Sequence, residues 1–274
     1  MSVGTASARA GGTLHLVPVP LDPDADASAA LDVLAPGALA VLRATDYFLV
    51  ENAKTARAWL RSLGHPVALR ELKIVEIGHA PDPIRLVDWL APVQAGRDAV
   101  VLSEAGCPGI ADPGALLAAA AHARGLRVRP WTGPSSILLA LMASGLNGQC
   151  FRFLGYLPRE ADALATALPA LAQRAAGGET QIFIETPYRN TRLLGAILTH
   201  CPPATVLCVA ADLTAPSERI LRRSIAAWRD AHPELQRVQA LPQPSPQSSR
   251  QASPPHVALE WLERHPAVFL LGAA

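Results

Sequence analysis

Short apolar runs alternate with helix-length stretches along most of the chain. Residues 14–17, 47–50, 73–77, 99–103 and 127–131 read as strands. Between them, 34–45, 55–63, 84–94 and 115–124 read as helices of about ten residues. A second series follows: helix 137–143, strand 151–154, helix 161–175, strand 181–185, helix 191–198, and strands 205–210, 220–224 and 267–271. Strands alternating with crossover-length helices predict parallel or mixed sheets. The expected architecture is α/β in two lobes, an N-terminal domain at 13–131 and a C-terminal domain at 132–274, joined near 130–136.

Two segments break the pattern. Residues 1–12 lack an apolar core and read as a disordered N-terminus rather than a secretory signal. Residues 233–255 hold six prolines, five glutamines and four serines. That composition buries too little apolar surface to order itself, so the stretch reads as a flexible linker. It precedes a short amphipathic helix at 257–264.

Composition narrows the function. Half of the 274 residues are hydrophobic and 17% are charged, which is enough for a sizeable core. Lys and Arg number 24 against 23 Asp and Glu, a net of +1, so the chain is not a generic polycation that coats nucleic acid. A local basic groove stays open. The longest uncharged run, 130–151, is punctuated by Pro134, Ser135, Ser136, Gly145 and Gly148, which excludes a bilayer span there. The four cysteines form no C-x-x-C and no zinc spacing, so no metal is expected and the thiols read as reduced and cytoplasmic. P-loop, G-x-G-x-x-G, H-E-x-x-H and G-x-S-x-G motifs are absent.

Four segments carry the chemistry. Val101-Leu102-Ser103-Glu104-Ala105-Gly106-Cys107-Pro108-Gly109-Ile110-Ala111-Asp112-Pro113-Gly114 runs from a strand into a loop of glycines and prolines, then into a helix with Asp112 as N-cap and Pro113 first. Glycines let a ligand approach backbone, and prolines keep the loop stiff. Taken as physics, this is either a preorganised backbone-lined pocket or an ordinary turn. Thr132-Gly133-Pro134-Ser135-Ser136 opens an apolar helix, whose first N–H groups are capped by serine or hold a ligand. Glu185-Thr186-Pro187-Tyr188-Arg189 and Asp212-Leu213-Thr214 each follow a strand, where open α/β sheets bind ligands.

These segments resemble the tetrapyrrole methylase superfamily. VLSEAGCPGIADPG is similar to its S-[DE]-A-G-x-P-x-I-[SA]-D-P-G signature, WTGPSSILLAL to its G-P-S-A helix start, and ETPYR to its E-S-P-H-R. The nearest branch contains the small-subunit ribosomal RNA cytidine 2′-O-methyltransferase. The resemblance implies two α/β domains with S-adenosylmethionine between them, and a homodimer. Carried over by motif position, it implies cofactor contacts from Pro18, Ser103, Glu104, Gly106, Cys107, Pro108, Ile110, Ser135, Ser136, Glu185, Thr186 and Thr214. Cys107 would be a pocket wall, not a nucleophile.

The chain departs from that branch at several places. T-P-I-G-N-L is replaced around Val19-Pro20-Leu21-Asp22-Pro23, E-D-T-R by Glu51-Asn52-Ala53-Lys54, S-P-H-R by Thr186-Pro187-Tyr188-Arg189, and R-E-L-T by Ala211-Asp212-Leu213-Thr214. The cofactor motifs are better kept than positions facing the acceptor, which suggests a paralogue acting on RNA or on a small molecule. A hydroxyl acceptor benefits from a general base, for which Glu51 is the candidate. Arg57, Tyr188 and Arg189 are candidate substrate contacts, the arginines for an anion. The rival reading is a cofactor-binding regulator or scaffold without turnover.

Overall fold

The computed structural model describes residues 11–22, 25, 27–235 and 259–273. The expectations for 1–10 and for 236–255 lie outside the described residues, as does the start of the helix expected at 257–264. The chain divides into two compact units, Met1–Ser135 and Ser136–Ala274.

The first unit runs β1 (Thr13–Leu16), α1 (Ala27–Val33), α2 (Pro36–Ala44), β2 (Tyr47–Val50), α3 (Ala53–Ser62), β3 (Lys73–Glu76), a 3₁₀ turn (Pro83–Arg85), α4 (Leu86–Gln94), β4 (Ala99–Leu102), α5 (Gly114–Ala123) and β5 (Arg127–Pro130). Its five strands are all parallel, in the order β3-β2-β4-β1-β5. The central strands β2 and β4 are buried along their whole length, so their sequences are continuous apolar runs. Alternate residues serve opposite faces. Phe48, Val50, Val100 and Leu102 pack with Leu42 and Leu60 of α2 and α3. Tyr47, Leu49, Ala99 and Val101 pack with Trp89, Leu90 and Leu117 of α4 and α5. The edge strand β5 carries the charges of Arg127 and Arg129, which discourage edge pairing.

The second unit runs α6 (Ser136–Ser144), β6 (Phe151–Tyr156), α7 (Ala161–Ala176), β7 (Thr180–Glu185), α8 (Pro187–His200), β8 (Val206–Ala211), β9 (Arg219–Ser224), α9 (Ile225–Ala231), α10 (Glu260–Arg264) and β10 (Ala267–Gly272). Its sheet is mixed, in the order β6-β7-β10-β8-β9, with only β6 and β7 parallel. The last strand is therefore central: β10 lies between β7 and β8 and is buried throughout. Phe183 and Phe269 stack on one face with ring centroids 5.8 Å apart, over the core built by α7, α8, α9 and α10. On α8, Asn190 is fully buried, and its amide donates to the carbonyls of Leu262 (2.7 Å) and His265 (2.8 Å), fixing the chain into β10.

Three elements differ from expectation. A separate α1 precedes α2, because Pro36 holds Ala35 extended (ψ 139°) and splits the run. α8 begins at Pro187, four residues early, with proline at the first helical position where its missing N–H costs nothing. α5 begins at Gly114, with Pro113 rather than Asp112 in the capping position.

Candidate active site

In the first unit, three strand-end loops are tied into one body. After β1, Val19 and Gly106 form a short antiparallel bridge, with Val19 N–H donating to Gly106 O (2.9 Å) and Gly106 N–H to Val19 O (3.2 Å). After β4, the Ser103 hydroxyl donates to Gly106 O at 3.0 Å. After β5, Pro134 O accepts from the Cys107 thiol at 3.3 Å. The β4 loop is closed on itself by Asp112, whose Oδ1 accepts the N–H of Gly109 and of Gly114, both at 2.7 Å.

Gly106 sits at φ +71°, and a Cβ there would lie 3.1 Å from Leu21 Cδ2 and 3.4 Å from Pro134 O. Glycine is thus required twice, for conformation and for space. Ala111, in the same loop, holds φ +56° without being glycine. Backbone held in sparsely populated regions clusters at functional sites, and its presence here sets this loop apart from an ordinary turn.

Beside these loops lies a cavity of about 250 Å³. Val19, Pro20, Leu102 and Ser103 line it from the sheet side, Thr55 and Trp59 from α3, and Glu104 at its edge. The indole N–H of Trp59 is buried and has no acceptor among the described residues. A buried donor without a partner is costly, which marks the place where a ligand acceptor would be favoured.

Of the expected cofactor residues in this unit, Pro18, Ser103, Gly106 and Pro108 are buried, Cys107 and Ser135 are half-buried, and Glu104 and Ile110 are exposed. Burial pushes the Cys107 thiol above its ordinary value, which suits a wall more than a nucleophile.

At the ends of β2, β3 and β4 three side chains meet. Glu51 is nearly buried and both its oxygens are engaged: Oε1 bonds His79 Nδ1 at 2.5 Å, and Oε2 accepts the Glu104 N–H at 2.9 Å. His79 Nε2 lies 3.9 Å from Glu104 Oε2. These nitrogen and carboxylate atoms all lie within 4.8 Å of one another. Burial raises the Glu51 carboxyl above its ordinary value, and the hydrogen bond to Glu51 raises the His79 imidazole. Sequence reasoning points to Glu51 and misses His79. The available signal is that β2 and β3 are neighbours, with Val50 opposite Glu76. A Glu one residue past β2 and a His three past β3 therefore share one sheet edge.

Asn52, one of the departures from the family motif, caps α3, its Oδ1 accepting from Lys54 N–H (2.9 Å) and Thr55 N–H (3.2 Å). Glu76 completes the cap by accepting the Ala53 N–H at 2.8 Å. Arg57 is exposed, with its guanidinium against Ala53 O at 3.4 Å.

In the second unit, Glu185 is buried at the end of β7. Its Oε1 accepts the Thr186 N–H (2.8 Å), and its Oε2 pairs with Arg189 at 3.0 Å. Arg189 is thus committed to Glu185, whereas Tyr188 is 96% exposed. Ser136 is half-buried, and Thr186 and Thr214 are exposed. Asp212 and Thr214 hold φ of +54° and +73°. Asp212 also pairs with His265 Nδ1 at 2.9 Å.

A model of the tetrapyrrole (corrin/porphyrin) methylases matches residues 28–227. The ribosomal RNA small subunit methyltransferase I of Xylella fastidiosa (strain Temecula1) is 33% identical over 217 residues, 78% of this chain and 73% of that protein. Among solved structures, the methyltransferase CobJ is similar in fold, with a TM-score of 0.56 at 20% identity over 96% of this chain and 95% of that one. The uroporphyrin-III C-methyl transferase of Thermus thermophilus complexed with S-adenosyl homocysteine has a TM-score of 0.50 at 14% identity, over 96% and 97%. This chain is a methyltransferase and belongs to the tetrapyrrole (corrin/porphyrin) methylase family.

Proposed function

We propose that the chain transfers the methyl group of S-adenosylmethionine to a ribose hydroxyl of small-subunit ribosomal RNA. The observation that carries the cofactor half is the rigid body made by the loops after β1, β4 and β5, closed around the buried Gly106, beside the cavity lined by Ser103, Thr55 and Trp59. A bound S-adenosylmethionine supplies a methyl on a sulfonium, already activated for displacement. The protein is left to bind, orient and exclude water. Backbone groups around Pro18, Ser103, Gly106, Cys107 and Ile110 suit that task, since few charged side chains are needed. Glu104 and Ser135 of the first unit, and Ser136, Glu185, Thr186 and Thr214 of the second, complete the assignment by motif.

The acceptor half rests on the 33% identity to a ribosomal RNA methyltransferase and on the charge of α3. Lys54, Arg57 and Arg61 recur at three- and four-residue spacing and are all exposed. They form a cationic face on the helix whose Thr55 and Trp59 line the cavity. Such a face follows a phosphate backbone even when the whole protein is near neutral. The family resemblance further suggests a homodimer working in the cytoplasm. Among the described residues no helix is long and apolar enough to cross a membrane.

Tritium transfer from labelled S-adenosylmethionine tests this. Label is expected in small-subunit ribosomal RNA, on a nucleoside whose 2′-O-methyl survives alkaline digestion. Label found only in small molecules, or calorimetric cofactor binding with no transfer to any lysate fraction, refutes it. Light scattering at micromolar protein checks for twice the 28.8 kDa chain mass.

A further inference from the structure

We propose that His79 is the general base of the methyl transfer, with Glu51 as the carboxylate that orients it. The proposal rests on the methyltransferase reading above and names a residue that the motif comparison did not supply. Its basis is the contact pattern at the ends of β2, β3 and β4. Glu51, the base expected from sequence, is only 12% exposed and has both oxygens engaged, one with His79 Nδ1 and the other with the Glu104 N–H. His79 is the opposite case. Its side chain is 75% exposed, Nδ1 is committed to Glu51, and Nε2 faces Glu104 at 3.9 Å with no hydrogen bond of its own among the described residues. A carboxylate on Nδ1 fixes ring orientation and the tautomer that leaves Nε2 as the acceptor. Gly78, at φ +70°, turns the chain so that His79 reaches back over β2.

The ring also stands beside the right loop. Glu104 belongs to the β4 loop that builds the cofactor body, and it lines the cavity with Thr55 and Trp59. In the transfer, the acceptor oxygen forms a bond to the methyl carbon as the bond from that carbon to sulfur breaks, its electron pair staying on the sulfur. The hydroxyl proton passes to His79 Nε2. A neutral thioether, a methyl ether and an imidazolium paired with Glu51 remain. The groups facing the ring are Glu51 from β2, Glu104 from the β4 loop and, further off, Asp112, all acidic, and all favour that imidazolium.

A divalent cation is the competing occupant of the same three side chains. Ligands of one ion at ~2.1 Å each stand about 3 Å apart in octahedral geometry. Glu51 Oε1 and His79 Nδ1, at 2.5 Å, are hydrogen-bonded to each other, and the chelator measurement below decides between the two occupants.

The test uses the full-length protein, small-subunit ribosomal RNA and labelled S-adenosylmethionine, with His79→Ala and Glu51→Gln. His79→Ala is expected to lower kcat by about 10²–10⁴-fold. It should leave the calorimetric affinity for S-adenosylmethionine within threefold, and added imidazole should restore part of the rate. The wild-type rate should rise with pH through the His79 titration, and that limb should vanish in His79→Ala. Independently of activity, the NMR titration of the His79 ring should move to lower pH in Glu51→Gln. A His79→Ala enzyme with wild-type kcat, an unmoved His79 titration in Glu51→Gln, or a wild-type rate abolished by chelator and restored by magnesium or manganese each overturns the dyad while leaving the methyltransferase reading intact. A wild-type protein that methylates no RNA overturns both.

Discussion

Replacing Gly106 is the sharpest test of the rigid cofactor body. At φ +71° a non-glycine residue costs about 1–2 kcal/mol through contact of its Cβ with the backbone. For alanine the added methyl meets Leu21 Cδ2 at 3.1 Å and Pro134 O at 3.4 Å. The Leu21 end can rotate away, so Gly106→Ala should cost little beyond the conformational term. Valine adds branches that cannot avoid the Pro134 carbonyl, and the loop must move. The two backbone bonds to Val19, at 2.9 and 3.2 Å, are then at risk, each worth ~0.5–1.5 kcal/mol. Gly106→Val therefore sums to about 2–5 kcal/mol against the closed loop. If the ligand binds only that form, the apparent Kd rises as the reciprocal of the fraction of time the loop is closed, roughly tenfold for each 1.4 kcal/mol once the open form predominates. Gly125, at φ +67° with nothing within 4 Å of an added Cβ, is the control: Gly125→Ala carries the same conformational cost away from the loops. Calorimetric titration with S-adenosylmethionine should show weakening of about 30-fold or more for Gly106→Val and none for Gly125→Ala. Equal affinity in Gly106→Val and wild type would refute the view that this loop conformation is part of the binding site.

Three further perturbations probe the frame. His15 is buried, and its Nδ1 accepts from the Trp131 indole at 3.1 Å, so its neutral form is built into the fold, and burial lowers its pKa. With a folded value below the unfolded one near 6.5, its contribution is complete above that pH and is lost as pH falls toward the folded value. Urea midpoints measured from about pH 7.5 to 5 should drop in wild type and drop less in His15→Gln. Asn190→Ala leaves the carbonyls of Leu262 and His265 without their donor and should cost ~2–4 kcal/mol in urea unfolding, where a loss under about 0.5 kcal/mol would contradict the pinning of β10. Arg189→Ala strands the buried Glu185 carboxylate, so a loss of about 2–4 kcal/mol is expected, discounted for the partial exposure of Arg189, and Glu185→Gln in the same chain should return part of it.

The strands of the first sheet were legible because their period is local, whereas their order was not, since Leu14 of β1 pairs with Ala99 of β4 across 85 residues. Strands at 47–50 and 99–102 are pure apolar runs bounded by turns, and parallel pairing with crossover helices follows from alternation alone. In the second unit β10 was legible as a strand, but its insertion between β7 and β8 was not. It comes last in the chain, more than 80 residues after β7, and no local pattern encodes a pairing at that separation. The site divides in the same way. The β4 loop announced itself through its glycines, prolines and Asp112, since each answers a backbone demand within four residues. His79 and Trp59 did not, because a lone His or Trp acquires meaning only from what neighbouring strands bring beside it.

That distinction also changes how the departures from the family motifs weigh on function. Asn52 stands where the related RNA methylase motif has an aspartate, and on sequence alone the change suggests a different acceptor or lost chemistry. Its side chain is spent on capping α3, a task that asparagine and aspartate perform about equally well. Glu76 supplies the negative charge that the helix start then lacks. Arg189 likewise remains in place but is held by Glu185, so its role is to keep a buried carboxylate paired rather than to meet an anion. Among the described residues at these positions, Tyr188 is an altered side chain that extends into solvent at the start of α8, and Lys54 is another, on the cationic face of α3. Tyr188, Lys54 and the altered residues 19–22 are therefore positions through which the choice of acceptor can differ from that of the ribosomal RNA relatives. The Glu51–His79 pair and the β4 loop supply what any hydroxyl acceptor would need.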